Sequence, residues 1–234
     1  MISKIINRFK YFSRFELLLW ISSLLVIAIS FLFSEKYNWL VLIASLVGAT
    51  ELIFVSKGDV VGQVLTVIFG SLYAIISFRF RYYGEMITYL GMAIPIAILS
   101  VISWLKNPYK KHEPEVKVNS LSFFQIIIMI ISTIIVTAIF YFILKIFNNP
   151  NLIISTLSVT ASYLAAYLML LRSPSYAIAY CLNDIILIIL WILATIKDKS
   201  YLPMIICFIV FLVNDIYGYF NWKRIKKRQL NNIN

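Results

Sequence analysis

The sequence predicts an all-α polytopic membrane protein with eight transmembrane helices. Two parallel three-helix repeats are joined by a linker helix, and one extra helix precedes them. Three observations predict this. The 234 residues are 62% hydrophobic and 13% charged, with mean hydropathy +0.90, more apolar surface than a water-soluble domain of this length can hide. Eight apolar runs recur along the chain, each near the ~20 residues that cross ~30 Å of hydrocarbon as a helix. Finally, residues 118 apart match in type in the two halves.

The first run, Leu17–Phe33, follows a basic start with Lys4, Arg8, Lys10 and Arg14. It is too long for a signal-peptide core and no small-residue cleavage pattern follows, so it reads as a membrane helix. Next come Asn38–Val55, Val60–Phe78 and Glu85–Leu105, then the polar stretch Lys106–Ser120 with Pro108 and Pro114. The later runs are Leu121–Phe147, Leu152–Leu171, Tyr176–Ile196 and Tyr201–Asn221. Runs this long and rich in Ile, Leu and Phe exceed any strand, and helices alone satisfy the backbone within lipid.

The charges assign an orientation. With the N-terminus inside, the inner segments hold Lys4, Arg8, Lys10, Arg14, Lys57, Lys106, Lys110, Lys111, Lys117, Arg172, Lys223, Arg224, Lys226, Lys227 and Arg228. The outer ones hold Lys36, Arg79, Arg81, Lys145, Lys197 and Lys199, so fifteen of the 21 cations fall inside. That is the positive-inside bias, and it places both termini in the cytoplasm. The net charge of +11 then reflects loops facing anionic lipid and does not call for nucleic acid.

At the offset of 118, Tyr83 meets Tyr201, Met86 meets Met204, Trp104 meets Trp222, Tyr73 meets Trp191 and Arg79 meets Lys197. The units Asn38–Leu105 and Thr156–Lys223 follow, with Leu121–Phe147 between them. One intervening span gives both units the same orientation, an arrangement that places transporter sites between the halves. The chain divides into a basic start and accessory helix at 1–37, a first unit at 38–105, a loop and linker helix at 106–150, a second unit at 151–223 and a basic tail at 224–234.

Polar residues within the spans mark a site. Asn183-Asp184 and Asn214-Asp215 lie in adjacent spans of opposite direction, each about eight residues, or ~12 Å, from the same side. Intramembrane carboxylates are costly and generally functional. Tyr180, Trp191 and Tyr217 stand near these pairs, while Gln63 and Tyr73 occupy the first unit; these nine residues are the candidate substrate-binding set. Asn and Asp can bond hydroxyls or amides, and aromatic faces can stack on a heterocycle or attract a cation. The competing structural reading is polar glue between helices. Glu51 either serves the pocket or pairs with Lys57. Gly48, Gly62 and Gly70 read as close helix contacts, Pro95 as a tolerated kink, and Trp39, Trp104 and Trp222 as interface anchors.

Other classes find little support. Cys181 and Cys207 lie in apolar runs and read as small buried residues. His112 stands alone among charged loop residues, so no metal site is expected, and no catalytic residue or cofactor is assigned. No phosphate-binding loop occurs, and no Lys or Arg sits mid-span, which favours a neutral or cationic substrate over a phosphorylated one. A membrane-embedded enzyme would want clustered acidic residues or His at the interface. A membrane subunit serving a separate ATPase is a further alternative.

The stretches N-D-I-I-L-I-I-L-W-I-L-A, S-Y-L-P-M-I-I-C-F-I-V-F and V-N-D-I-Y-G-Y-F-N-W-K-R resemble the PnuC family of bacterial vitamin-precursor transporters. V-S-K-G-D, G-S-L-Y and Y-Y-G-E-M-I look like that family's first half, and the resemblance covers about Trp39 to Lys223. It implies two three-helix units around a linker helix, similar to the SWEET transporters, in the bacterial cytoplasmic membrane. It also implies uptake of nicotinamide riboside by facilitated diffusion, trapping by phosphorylation inside the cell, and a homotrimer. Many members carry an acidic residue and two Trp before the penultimate helix's Asn or Asp. Here Ser175, Ala177 and Tyr180 fill that register, and relatives of the family carry thiamine, riboflavin or deoxynucleosides.

Overall fold

The computed structural model describes residues 11–32, 39–79, 83–111 and 114–232. Lys4, Arg8, Lys10, Lys36, Arg81 and His112, and the span ends Phe33 and Asn38, lie outside the described residues. Eight helices in the described chain are long and apolar enough to cross a membrane. They are α1 (Arg14–Leu32), α2 (Trp39–Ser56), α3 (Val60–Arg79), α4 (Tyr83–Lys106), α5 (Phe123–Ile146), α6 (Leu152–Leu170), α7 (Tyr176–Lys197) and α8 (Leu202–Asn231).

Local chemistry fixes their ends. At α1 the Ser13 hydroxyl accepts the Glu16 N–H while the Glu16 carboxylate accepts the Ser13 N–H; Ser122 and Gln125 repeat this reciprocal cap on α5. Both caps satisfy donors that a helix start leaves unpaired. Gly58 stops α2 with φ +67°, the left-handed conformation that glycine tolerates best. Helix α8 runs through the sequence expected to be a basic tail. Lys223–Gln229 lacks Gly and Pro, and Ile225 and Gln229 are buried, so packing continues where the apolar run ends. Within α4, Tyr89–Ala93 forms a π-helical turn directly before Pro95. Proline cannot donate to the carbonyl four residues back, and the wider turn absorbs that missing bond.

Six helices close into a ring. Each of α2–α3, α3–α4, α4–α6, α6–α7, α7–α8 and α8–α2 packs side to side. Helices α1 and α5 ride outside: α1 packs on α2 and α8, and α5 on α6 and the start of α4. Small residues permit the closest approaches. A Cβ on Gly62 would lie 2.6 Å from Val55 N, and one on Gly48 would lie 2.5 Å from Phe211 Cζ.

One end of the ring is strapped and sealed. The 107–121 connection bonds to the α2–α3 turn (Val116 N–H to Gly58 O, 2.9 Å) and to the α6–α7 turn (Asn119 N–H to Arg172 O, 3.0 Å). It also bonds to α8, where Gln229 accepts from Val118 N–H and donates to Val116 O. Beneath it, Trp104 of α4 and Trp222 of α8 are 2% and 0% exposed, with ring centroids 5.6 Å apart. Each indole N–H donates to a carbonyl near the end of another helix: Trp104 to Met169 O at 3.1 Å, Trp222 to Val55 O at 2.8 Å. Val55, Val116, Leu168 and Tyr176 complete this layer. The two tryptophans are therefore a buried plug and not the interface anchors their positions suggested; an available carbonyl lets the indole go dry. Trp39, at 69% exposure, does stand on the surface.

Candidate functional site

The ring encloses a cavity of about 100 Å³. Helix α2 contributes Gly48, Glu51 and Leu52, and α3 contributes Gln63, Thr66, Phe69 and Gly70. Helix α4 lines it from Glu85 through Tyr89 to Ser100. Ser158 and Ser162 face it from α6, Tyr180, Asn183 and Asp184 from α7, and Phe208, Phe211 and Asp215 from α8. No Lys, Arg or His among the described residues lines it.

Two aromatic layers bound the polar zone. The Trp104–Trp222–Tyr176 layer closes the strapped end. Toward the other end Tyr73 and Tyr89 stack at 4.5 Å, and Phe69 meets Tyr89 at 6.3 Å and Phe211 at 5.9 Å. Between them, the Ser158 hydroxyl donates to Asn183 Oδ1 at 2.9 Å and the Thr66 hydroxyl to Glu51 Oε1 at 2.7 Å. Gln63 Nε2 and Asp184 Oδ2 are buried with no hydrogen-bond partner among the described residues. Buried polar atoms are rarely left so. Here a donor and an acceptor are both free within a polar cavity, ready for a ligand or water.

Of the nine candidate residues, Gln63, Tyr180, Asn183, Asp184 and Asp215 line this cavity. The other four stand elsewhere. Asn214 turns to α1, donating to Ser23 Oγ at 2.9 Å and to its own helix at Val210 O. Tyr217 donates to Glu16 Oε1 at 2.8 Å. Trp191 packs on Tyr201, and Tyr73 stands behind Tyr89. Successive helix residues are rotated by about 100°, so one depth does not imply one direction. Glu51, left between two roles by the sequence, lines the cavity, while Lys57 pairs with Glu16 at 3.0 Å. Glu85 and Tyr89 join the lining as well. Glu85 sits at a span end, where charge is ordinary, and only the three-dimensional packing brings it inward.

Residues 38–224 match the family described as nicotinamide mononucleotide transporter. The chain belongs to this family. Its members are transporters, and this chain is a multi-pass membrane transporter, not an enzyme. It is 28% identical over 205 residues to a nicotinamide riboside transporter PnuC of Neisseria mucosa, covering 86% of this chain and 78% of the relative. It is 25% identical over 193 residues to a protein of the same name from Haemophilus influenzae, covering 82% of each. The crystal structure of a vitamin B3 transporter PnuC superposes with TM-score 0.80 at 27% identity, over 93% of this chain and 94% of that one. The all-helical, eight-span expectation agrees with this membership.

Proposed function

We propose that the chain takes up nicotinamide riboside by facilitated diffusion, down the ligand's own gradient. The family description names a mononucleotide and the curated relatives are named for the riboside. One observation favours the riboside: four carboxyl groups, Glu51, Glu85, Asp184 and Asp215, line a cavity whose described lining holds no cationic side chain. A phosphate would meet repulsion without a counter-charge, whereas a pyridinium cation meets attraction. In this reading Asp184 and Asp215 offset the cation and Tyr180 and Tyr89 pack on its ring. Gln63 and Asn183 bond the amide and ribose.

The mechanism is alternating access between two units, α2–α4 and α6–α8. The ring contacts support this pairing, because α8 meets α2 as α4 meets α6. Trp104 and Trp222 support it too, since each bonds across to the first helix of the other unit. The cavity is smaller than the roughly 300–1,000 Å³ of ligand-holding pockets, so loading requires the units to part. The strapped end is the cytoplasmic one, with both termini there, by the bias of Lys and Arg. The protein acts as a homotrimer in the bacterial cytoplasmic membrane.

The test is uptake in proteoliposomes of labelled nicotinamide riboside, nicotinamide mononucleotide, thiamine, riboflavin and nucleosides. The riboside is expected to enter at least tenfold faster than the mononucleotide. Equal or reversed rates refute the electrostatic selection, and no uptake of the riboside refutes the assignment.

A further inference from the structure

Asn214 and Tyr217 face away from the cavity and toward α1. Helix α1 lies across the joint between α2 and α8, one helix from each unit, and the buried residues of α1 include Glu16, Ser23, Ile27 and Ser30. Its two neighbours hold it by different chemistry. Toward α2, Lys57 pairs with Glu16 at 3.0 Å and donates to Tyr11 O at 3.0 Å, with its ammonium 4.3 Å from the Tyr11 ring. Trp20 donates to Thr50 Oγ1 at 3.1 Å, and Phe12 meets Phe54 with ring centroids 5.3 Å apart. Toward α8, Tyr217 donates to Glu16 Oε1 at 2.8 Å and Asn214 to Ser23 Oγ at 2.9 Å. Phe15 meets Tyr217 there, also at 5.3 Å.

Parting from one neighbour therefore differs from parting from the other. Separation from α2 takes Lys57 from Glu16, which is 3% exposed, and leaves a buried carboxylate without its cation. That is strongly unfavourable. Separation from α8 breaks only bonds from neutral donors. Glu16 keeps Lys57 and the Ser13 N–H, and Asn214 Nδ2 keeps Val210 O. The direct bond from α8 to α2 is released as cleanly: when Trp222 leaves Val55 O, that carbonyl keeps the Gly58 N–H.

We propose that α1 moves with the first unit and serves as a latch on the second. Tyr217 and Asn214 are the catch. In the closed ring they are seated on Glu16 and Ser23; when the units part, α8 leaves α1 and α2 together. The catch works at the strapped end, because Lys57 adjoins Gly58, whose carbonyl holds the strap at Val116. Tyr217 is thus a positioning residue, setting from outside the cavity how often the cavity opens to that side.

The proposal rests on the alternating-access reading above, and two measurements on the full chain separate them. Both use a chain carrying Cys181→Ser and Cys207→Ser. In the first, a short bifunctional methanethiosulfonate links cysteines in Phe15→Cys/Tyr217→Cys, joining α1 to α8, or in Phe12→Cys/Phe54→Cys, joining the start of α1 to α2. Riboside uptake in proteoliposomes is expected to fall at least tenfold in the first linked pair and to return on reduction. In the second pair it is expected to change less than twofold. Uptake that survives the α1–α8 link, or that stops equally in both pairs, overturns the latch and leaves transport of the riboside standing. The second measurement needs no uptake. Ser100→Cys lines the cavity one turn before Trp104, and its modification by an impermeant maleimide from the strapped side reports opening. Tyr217→Phe keeps the ring and removes one bond to a carboxylate, so the rate is expected to rise roughly tenfold. Thr50→Val, which removes the acceptor of Trp20 on α2, is expected to leave it within about twofold. An unchanged rate in Tyr217→Phe, or an equal rise in Thr50→Val, overturns the latch. Absence of riboside uptake by the unaltered chain overturns the transport reading instead, and the labelling rates then decide the latch alone.

Discussion

Replacing Trp222 with Phe is expected to unseat the plug at the strapped end. Trp222 is fully buried and donates to Val55 O at 2.8 Å. That carbonyl also accepts the Gly58 N–H at 2.9 Å, so the variant leaves no orphaned acceptor. The loss is then the net value of one hydrogen bond, about 1 kcal/mol, plus weakened contacts to Tyr176 at 5.1 Å and Trp104 at 5.6 Å. Such aromatic pairs are worth about 0.5–1.5 kcal/mol each, and Phe keeps part of that. A total of about 2 kcal/mol favours opening roughly 30-fold. The assay is the modification rate of a cysteine placed at Ser100, which lines the cavity one turn before Trp104. Cys181 and Cys207 are first replaced by Ser, and an impermeant maleimide is added from the strapped side. The rate is expected to rise between tenfold and 30-fold. An unchanged rate in a protein that still melts cooperatively refutes the assignment of this aromatic layer as the seal.

Other perturbations probe different links. Lys57→Met strands the Glu16 carboxylate, which also receives Tyr217. It is expected to lower the thermal midpoint in detergent by several degrees, with Glu16→Gln added to it restoring most of the loss. Gly62→Ala places a Cβ 2.6 Å from the Val55 backbone. It is expected to destabilise by about 2 kcal/mol or more, whereas Gly91→Ala, which meets nothing within 4 Å, should melt like the parent protein. Gln229→Ala removes the bonds from α8 to Val116, Val118 and Glu115. Limited proteolysis is expected to cut the 107–121 connection several times faster. Glu115→Gln weakens the pairing with the exposed Arg228 while keeping an amide oxygen to accept from Gln229, and its effect on melting is expected below about 1 kcal/mol.

The sequence made the helices readable because hydropathy and length suffice for that in lipid. It placed the spans within a few residues of their observed ends, apart from α8, whose extension is held by Ile225 and Gln229 and carries no apolar run. Part of the polar set was legible too: Asn183, Asp184 and Asp215 line one cavity. Direction was not. In a water-soluble helix the apolar stripe points inward, but here the lipid face is apolar too, so nothing in the run around Val213 says that Asn214 turns to α1 while Asp215 turns inward. Trp104 and Trp222 misled for a related reason. A tryptophan near a span end suits both the lipid interface and a dry joint, and only the carbonyls of Met169 and Val55 decide between them.

The π-turn at Tyr89–Ala93 has a consequence for movement. It stores one surplus residue within a continuous hydrogen-bonded helix, and a surplus residue can migrate along the helix by exchanging one carbonyl partner at a time. Each residue it passes is rotated by about 100° while the helix keeps its length and both ends stay anchored. Tyr89 lies at the edge of the surplus, with its aromatic side chain in the cavity wall. Helix α4 can thus turn that side chain relative to the cavity by a local slip of register, with no hinge and no broken helix in the hydrocarbon.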